Sequence, residues 1–212
     1  MADRYWVGPG TYWDNYGGED NWSLTSGGSP GAAVPTASDN VYFDANSGSG
    51  NVYLSLSTAT QNCANLSFAG FTGTFGGYSS SNVLDVYGNL TLSSSMSFYT
   101  YTNTTRLKGT GSKTITANGK TFSGPLYVEG NYTLQDALTV TDGLSGDYSL
   151  KLNSGTLNTN GFALTTAQLY TTGGTLTLGS STVTITGGNG GGYFYSFYLT
   201  SGVTLNAGNS SI

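Results

Sequence analysis

Apolar and polar residues alternate with a period of two along most of the chain, always in short runs. Val52-Tyr53-Leu54-Ser55-Leu56 sets three apolar residues on one face. Leu90-Thr91-Leu92, Leu138-Thr139-Val140, Leu150-Lys151-Leu152, Leu176-Thr177-Leu178, Val183-Thr184-Ile185 and Val203-Thr204-Leu205 repeat the design. Threonine fills most of the outward positions; its β-branched side chain suits a pleated strand and tolerates water. No stretch shows the 3- and 4-residue apolar spacing of an amphipathic helix. Turn formers separate the runs: Asn118-Gly119, Ser154-Gly155, Asn160-Gly161, Thr172-Gly173-Gly174 and Ser201-Gly202. The pattern predicts an all-β chain of many short strands.

Two architectures fit, a parallel β-solenoid (β-helix) and a β-sandwich or barrel. The spacing favours the solenoid. Leu126, Leu150, Leu176 and Val203 each open an apolar-polar-apolar triplet, with separations of 24, 26 and 27 residues. A coil of three short strands and three corners uses about that length. Stacked coils would pair each strand with those above and below and bury one continuous core.

Composition narrows the function. Of the 212 residues, 33 are Gly, 27 Ser, 32 Thr and 18 Asn, while only 8% are charged. Six bases face eleven acids, for a net charge of −5. A nucleic-acid partner would demand clustered Lys and Arg, so none is expected. Histidine is absent, which removes Ser-His-Asp and Cys-His nucleophile systems and His-ligated zinc. Cys63 is the single cysteine, so no intrachain disulfide forms and a buried, inert thiol is expected. No apolar run is long enough to span a membrane, and no export signal is visible behind Met1. After Lys151 the last 61 residues carry no charged side chain. A free surface usually carries charge for solubility; the blank tail predicts a surface covered by another subunit, a neighbouring copy or further chain.

Residues 1–45 differ from the rest. They hold Trp6, Trp13 and Trp22, three of the four prolines and six of the acids. This reads as a cap or docking segment, because an open solenoid end exposes unpaired strand edges. Residues 46–212 read as the solenoid shaft. The far end, Leu205-Asn206-Ala207-Gly208-Asn209-Ser210-Ser211-Ile212, stops in mid-pattern, so the shaft is expected to continue in a parent protein or to meet a partner.

Arg4-Tyr5-Trp6-Val7-Gly8, Trp13-Asp14, Asn21-Trp22-Ser23, Gly27-Gly28 and Val34-Pro35-Thr36-Ala37-Ser38-Asp39-Asn40-Val41-Tyr42-Phe43-Asp44 together carry a resemblance. They resemble the opening module of β-helical surface and virion proteins of phages and bacteria. Asn62-Cys63-Ala64-Asn65-Leu66-Ser67-Phe68, with Gly70-Phe71-Thr72-Gly73-Thr74, resembles the first rung of those proteins. Leu157-Asn158-Thr159-Asn160-Gly161-Phe162-Ala163-Leu164-Thr165 resembles a later one. The resemblance implies a non-enzymatic structural protein: a phage tail fibre or spike that docks by its N-terminus and projects a shaft for host attachment. A head decoration or appendage protein and a secreted bacterial adhesin are the alternatives. It implies other virion proteins as partners, a homo-oligomer with a trimer as the default, and a cell-surface glycan or receptor at the distal end. The Met1 start without a signal favours the virion. The resemblance brings no catalytic residues and no cofactor.

Asp14, Glu19 and Asp20 lie close in sequence, and Asp136, Asp142 and Asp147 fall within one coil length. Paired acids cleave sugars in some β-helices, and clustered acids can hold calcium. Here no basic or histidine partner and no dense Asp-x-Asp run accompanies them, so they are read as turn residues. The glycine run 187–192 lacks the Lys-Ser/Thr of a phosphate loop. Arg4, Tyr5, Trp6, Trp13 and Trp22 are the docking or cap candidates. Tyr193, Phe194, Tyr195, Phe197 and Tyr198 put rings on both faces of a strand and are the interface or glycan-contact candidates, with Phe98-Tyr99-Thr100-Tyr101 as a smaller case.

Overall fold

A computed structural model describes residues 1–8, 10–55, 60–79, 81–99, 103–141, 149–187 and 196–212. No helix occurs among them. Strands β1 (Asp3–Trp6) and β2 (Trp22–Ser23) belong to the N-terminal segment. Successive coils of three strands follow. They are β3 (Asn40–Tyr42), β4 (Asn51–Tyr53), β5 (Thr60–Cys63); β6 (Leu66–Ser67), β7 (Thr74–Gly76), β8 (Val83–Val86); and β9 (Leu90–Thr91), β10 (Ser97–Phe98), β11 (Thr104–Leu107). Next come β12 (Lys113–Thr116), β13 (Thr121–Ser123), β14 (Leu126–Val128); then β15 (Asn131–Leu134), β16 (Leu138–Thr141), β17 (Leu150–Leu152). The last are β18 (Thr156–Asn158), β19 (Leu164–Thr166), β20 (Leu169–Thr171); β21 (Gly174–Thr177), β22 (Val183–Ile185), β23 (Phe197–Leu199); and β24 (Val203–Asn206), which opens a further coil.

Each strand pairs with its counterpart one coil away, so the chain is a parallel β-solenoid with three faces. The first face is a ten-stranded sheet in the order β2-β1-β3-β6-β9-β12-β15-β18-β21-β24. The third face holds the seven strands from β5 to β23, which are separated by six full turns. The second face is divided into β4-β7-β10 and β13-β16-β19-β22. Inside that division Phe98 packs on Phe122 with ring centroids 5.1 Å apart, so the core continues where the ladder does not. Among the described residues only β1 and β2 pair antiparallel; the other strand pairs are parallel.

Most of the predicted inward residues form the core; Ile185 is only partly buried, and Leu56 lies outside the described residues. Leu90, Leu92, Leu138, Val140, Leu150, Leu152, Leu176, Leu178 and Val183 are all buried. Val203 and Leu205 point the same way, but they lie on the final coil and Leu205 remains 38% exposed. The coil length departs from the predicted 24–27 residues. On the third face Leu84, Thr105, Leu126, Leu150, Leu169 and Phe197 stack at separations of 21, 21, 24, 19 and 28. Leu126 and Leu150 are true partners. Leu150 next pairs with Leu169, whereas Leu176 sits on the first face opposite Leu157 and Leu205, and Val203 opposes Gly174. The four markers thus mix two faces, because corner loops of unequal length shift the spacing between coils.

Corners are fixed by residue type. Asn118 and Gly119, and likewise Asn160 and Gly161, both take positive φ, the conformation of a tight I′-type turn. Asparagines stack along one corner of the first face. Asn40 Nδ2 donates to Asp3 Oδ1 at 2.8 Å and Asn65 Nδ2 to Asn40 Oδ1 at 2.7 Å. Asn89 N then donates to Asn65 Oδ1 at 2.7 Å. The side-chain oxygen of each lower coil thereby accepts a bond from the coil above.

The N-terminal segment closes one end. β1 extends the first face beyond β3, which itself falls within residues 1–45. Tyr12 bridges in parallel to Tyr53 and extends the second. Trp6, Trp13 and Trp22 are 2%, 0% and 0% exposed and pack with Phe43 as a plug of rings 5.0–6.1 Å apart. The motif residues serve this plug. Trp22 Nε1 donates to Trp13 O at 2.8 Å, and the buried Asn21 accepts from Gly10 N and donates to Tyr12 O, each at 2.9 Å. A Cβ at Gly8 would strike Asn21. Asp39 Oδ2 accepts from Thr36 N and Oγ1, and its Oδ1 accepts from Ala2 N, which ties the Thr36–Asp39 turn to the first strand.

Candidate functional site

Two outward surfaces gather chemistry. The first runs the length of the third face. Register brings Asn62, Asp85, Arg106, Tyr127, Lys151, Tyr170 and Tyr198 into one row, one residue per coil. Neighbouring strands lie about 4.8 Å apart, so each side chain is placed beside the next. Arg106 grips Asp85 with two bonds, Nε to Oδ1 at 2.6 Å and Nη2 to Oδ2 at 2.8 Å. Lys108 Nζ adds a third to Oδ2 at 3.2 Å. Hydrogen bonding to Asp85 raises the Arg106 pKa above its ordinary value, against the opposing effect of burial. Further along, Lys151 lies 5.3 Å from the Tyr127 ring and 5.6 Å from that of Tyr170, within cation–π range. Tyr170 and Tyr198 stack at 4.8 Å with planes 9° apart. A parallel row beside it holds Glu129, Asn153 and Thr172, joined by Asn153 Nδ2 to Glu129 Oε1 at 3.2 Å and Thr172 Oγ1 to Asn153 Oδ1 at 3.2 Å.

The second surface lies on the second face next to the cap. Tyr53 points outward from β4. Tyr12 is held beside it by two backbone bonds, Trp13 N to Tyr53 O at 2.9 Å and Tyr53 N to Thr11 O at 2.7 Å. Tyr78 follows β7 and Tyr99 follows β10. Tyr12 meets Tyr16 at 5.5 Å and both Tyr53 and Tyr78 at 5.9 Å. Tyr53 meets Tyr78 at 5.9 Å and Tyr99 at 4.8 Å. Four of these five contacts are edge-to-face, the arrangement that ring quadrupoles favour. Asn51 Nδ2 donates to Tyr53 Oη at 3.2 Å. Tyr16 and Tyr78 are each 50% exposed. Burial raises the Tyr12 pKa, and the neighbouring Tyr78, Tyr16, Asp14 and Glu19 raise it further. Burial and the Tyr99 hydrogen bond do the same for Tyr53. Both phenols therefore keep their protons at neutral pH and remain donors.

Trp6, Trp13 and Trp22 are inside the plug, so their rings offer no surface to a docking partner. Arg4 is turned onto the cap, with Nε donating to Ala33 O at 2.9 Å and Nη2 4.0 Å from Asp39 Oδ2. Tyr5 stacks on Tyr42 at 4.8 Å on the outer side of the first face. Phe197 turns inward against Leu169, and Tyr198 turns outward onto Tyr170. Tyr193, Phe194 and Tyr195 lie outside the described residues, as do Thr100, Tyr101, Asp142, Asp147 and positions 188–192 of the glycine run. Asp136 accepts from Ala117 N at 2.7 Å and Asn118 N at 2.5 Å, a turn-capping role. Asp14 accepts a short bond from Ser55 Oγ. Among the described residues no three His, Cys, Asp or Glu side chains gather as a metal site. Cys63 is fully buried, and burial pushes its thiol pKa well up, which leaves it protonated and inert.

The tyrosine cluster and the Asp85–Tyr198 row were not visible in the sequence as units. Apart from Tyr12 and Tyr16, their neighbouring members lie 19–66 residues apart in sequence, and only the register of the coils joins them. No family model, curated protein or solved structure matches the chain.

Proposed function

We propose that this chain is a non-enzymatic structural protein whose solenoid is the projecting shaft of a virion appendage, a tail fibre or spike used for host attachment. The observation that carries this reading is the unbroken third-face ladder. Seven strands pair in parallel from β5 to β23, and outward side chains link neighbouring coils at Asp85–Arg106, on both sides of Lys151 and at Tyr170–Tyr198. Such a ladder resists bending, because deforming the rod breaks hydrogen bonds, ion pairs and ring contacts on several coils together. Stiffness of this kind suits a rod that displays a surface at a distance. The N-terminal segment docks to other virion proteins, and the shaft assembles as a homo-oligomer, with a trimer as the default.

Antibody raised against the chain and imaged on purified phage particles by electron microscopy tests the reading. Label on the tail is the expected result. Label confined to the head would replace it with a head decoration protein. Label on the surface of bacteria, with none on particles, would replace it with an adhesin. Release of reducing sugar from a host polysaccharide by the purified chain would overturn the non-enzymatic assignment.

A further inference from the structure

We infer that the tyrosine cluster beside the cap, Tyr12, Tyr16, Tyr53, Tyr78 and Tyr99, is a binding site for a neutral glycan. The inference goes beyond the attachment reading, because the site lies on the side of the second face beside the cap and not at the distal end. It stands equally for a shaft on a virion or on a cell surface.

Exposed large aromatics on a soluble protein are normally scattered singly. Here two half-exposed rings, Tyr16 and Tyr78, flank a partly buried one, Tyr12, and among the described residues the ring contacts of these side chains are between phenols. A protein interface core normally mixes aromatic with aliphatic side chains, Met and Arg. An all-phenol patch fits a different partner. A pyranose has an apolar C–H face that packs on a ring and a rim of hydroxyls that need both donors and acceptors. Tyrosine supplies the ring and both kinds of hydrogen bond on one rigid side chain. Asn51 and the exposed Glu19 and Asp20 add amide and carboxylate groups near the same end of the fold.

Charge selects among glycans. No base lies between Arg4 and Arg106 in the sequence, and Arg4 is turned onto Ala33 and Asp39. Asp14 and Glu19 lie close enough to act on the Tyr12 phenol. A polyuronate or other anionic chain would meet carboxylates with no cation to offset them, whereas a neutral chain pays no such penalty. The scaffold is also set in advance. Tyr12 and Tyr53 are locked by the backbone bridge between them, and the remaining rings by edge-to-face contacts, so little ordering is left for the ligand to drive.

Affinity electrophoresis of the full chain through gels containing dextran, mannan, galactan or a mixed-linkage β-glucan tests this, with alginate as the anionic counterpart. Retardation by at least one neutral polymer and none by alginate is the expected result. Tyr16→Ala and Tyr78→Ala should each weaken that binding about tenfold. Both rings are half exposed, so the variants should melt like the parent chain, and Phe162→Ala, at an exposed ring on a later coil, should bind unchanged. Retardation by none of the neutral polymers would overturn the inference. So would stronger retardation by alginate, or undiminished binding by a folded Tyr16→Ala/Tyr78→Ala double variant. None of these results bears on where the protein resides, which the labelling experiment decides separately.

Discussion

Glycines 109, 130, 155 and 174 stack at one corner, and a Cβ on Gly130, Gly155 or Gly174 would collide with backbone of the glycine corner one coil below. Coil contact is closest there, and backbone cannot swing aside as a flexible side chain can. Gly130→Ala should therefore destabilise the chain by about 1–3 kcal/mol, the usual cost of overpacking. Gly111 has positive φ but open space around it, so Gly111→Ala should cost only about 1 kcal/mol of backbone strain. Urea unfolding of the two variants checks the order, and equal losses would remove the close-packed corner from the account. The same corner explains Tyr132. This buried phenol donates toward Val86 O and Gly88 O and accepts from Gly109 N, so it ties three neighbouring backbone groups of the corner together.

Asp39 gives a residue-level pH effect. Burial alone would raise its carboxyl, but hydrogen bonds from Thr36 and Ala2, aided by Arg4, outweigh burial and hold the pKa below its ordinary 3.8. A depressed carboxyl stabilises the fold above the unfolded-state value, and that contribution disappears as pH falls through the folded-state value. The stability difference between the chain and Asp39→Asn should thus be constant above about pH 5 and shrink toward zero below about pH 3.8. Thermal melts from pH 7 to pH 2.5 measure it. A difference that grows on acidification would contradict the assignment.

At the scale of strands, Asp85 is a carboxylate buried in the third face, with a side chain 4% exposed, while Arg106 is 31% and Lys108 30% exposed. Removing Arg106 leaves the carboxylate covered and only partly compensated by Lys108. Arg106→Leu should cost about 2 kcal/mol, below the range for fully buried pairs because solvent screens the guanidinium. Asp85→Asn/Arg106→Leu should recover part of that loss, and denaturant midpoints of the single and double variants read the coupling. Additive losses would mean that the inter-coil pair contributes nothing.

The strands themselves were legible because they are written locally. Thr139 between Leu138 and Val140, or Thr177 between Leu176 and Leu178, sets the inward and outward faces without reference to any other part of the chain. Asn118-Gly119 and Asn160-Gly161 announce their turns in the same way. Register is not local. Leu150 and Leu169 are joined by a short coil, Leu169 and Phe197 by one nine residues longer, and no residue type signals which corner carries the extra length. Everything that depends on register was hidden with it, including the Asp85–Arg106 pair and the convergence of Tyr53, Tyr78 and Tyr99. The indoles were conspicuous in the sequence, but composition could not distinguish a surface that docks from a plug that fills the end of the core.

For the whole molecule, the central claim is that position along the rod is set by coil number rather than by distance along the chain. A spin label at Asn206, on the outer side of the first face, provides a fixed origin. Partner labels at Thr133, Thr114 and Ser67 lie three, four and six strands away along the same sheet. Double electron–electron resonance should give distances that rise steadily by about 4.8 Å per strand, roughly 14, 19 and 29 Å before label length is added. Distances that fail to grow in that order, as folding back through antiparallel hairpins would produce, would contradict the solenoid and the rod-like function built on it.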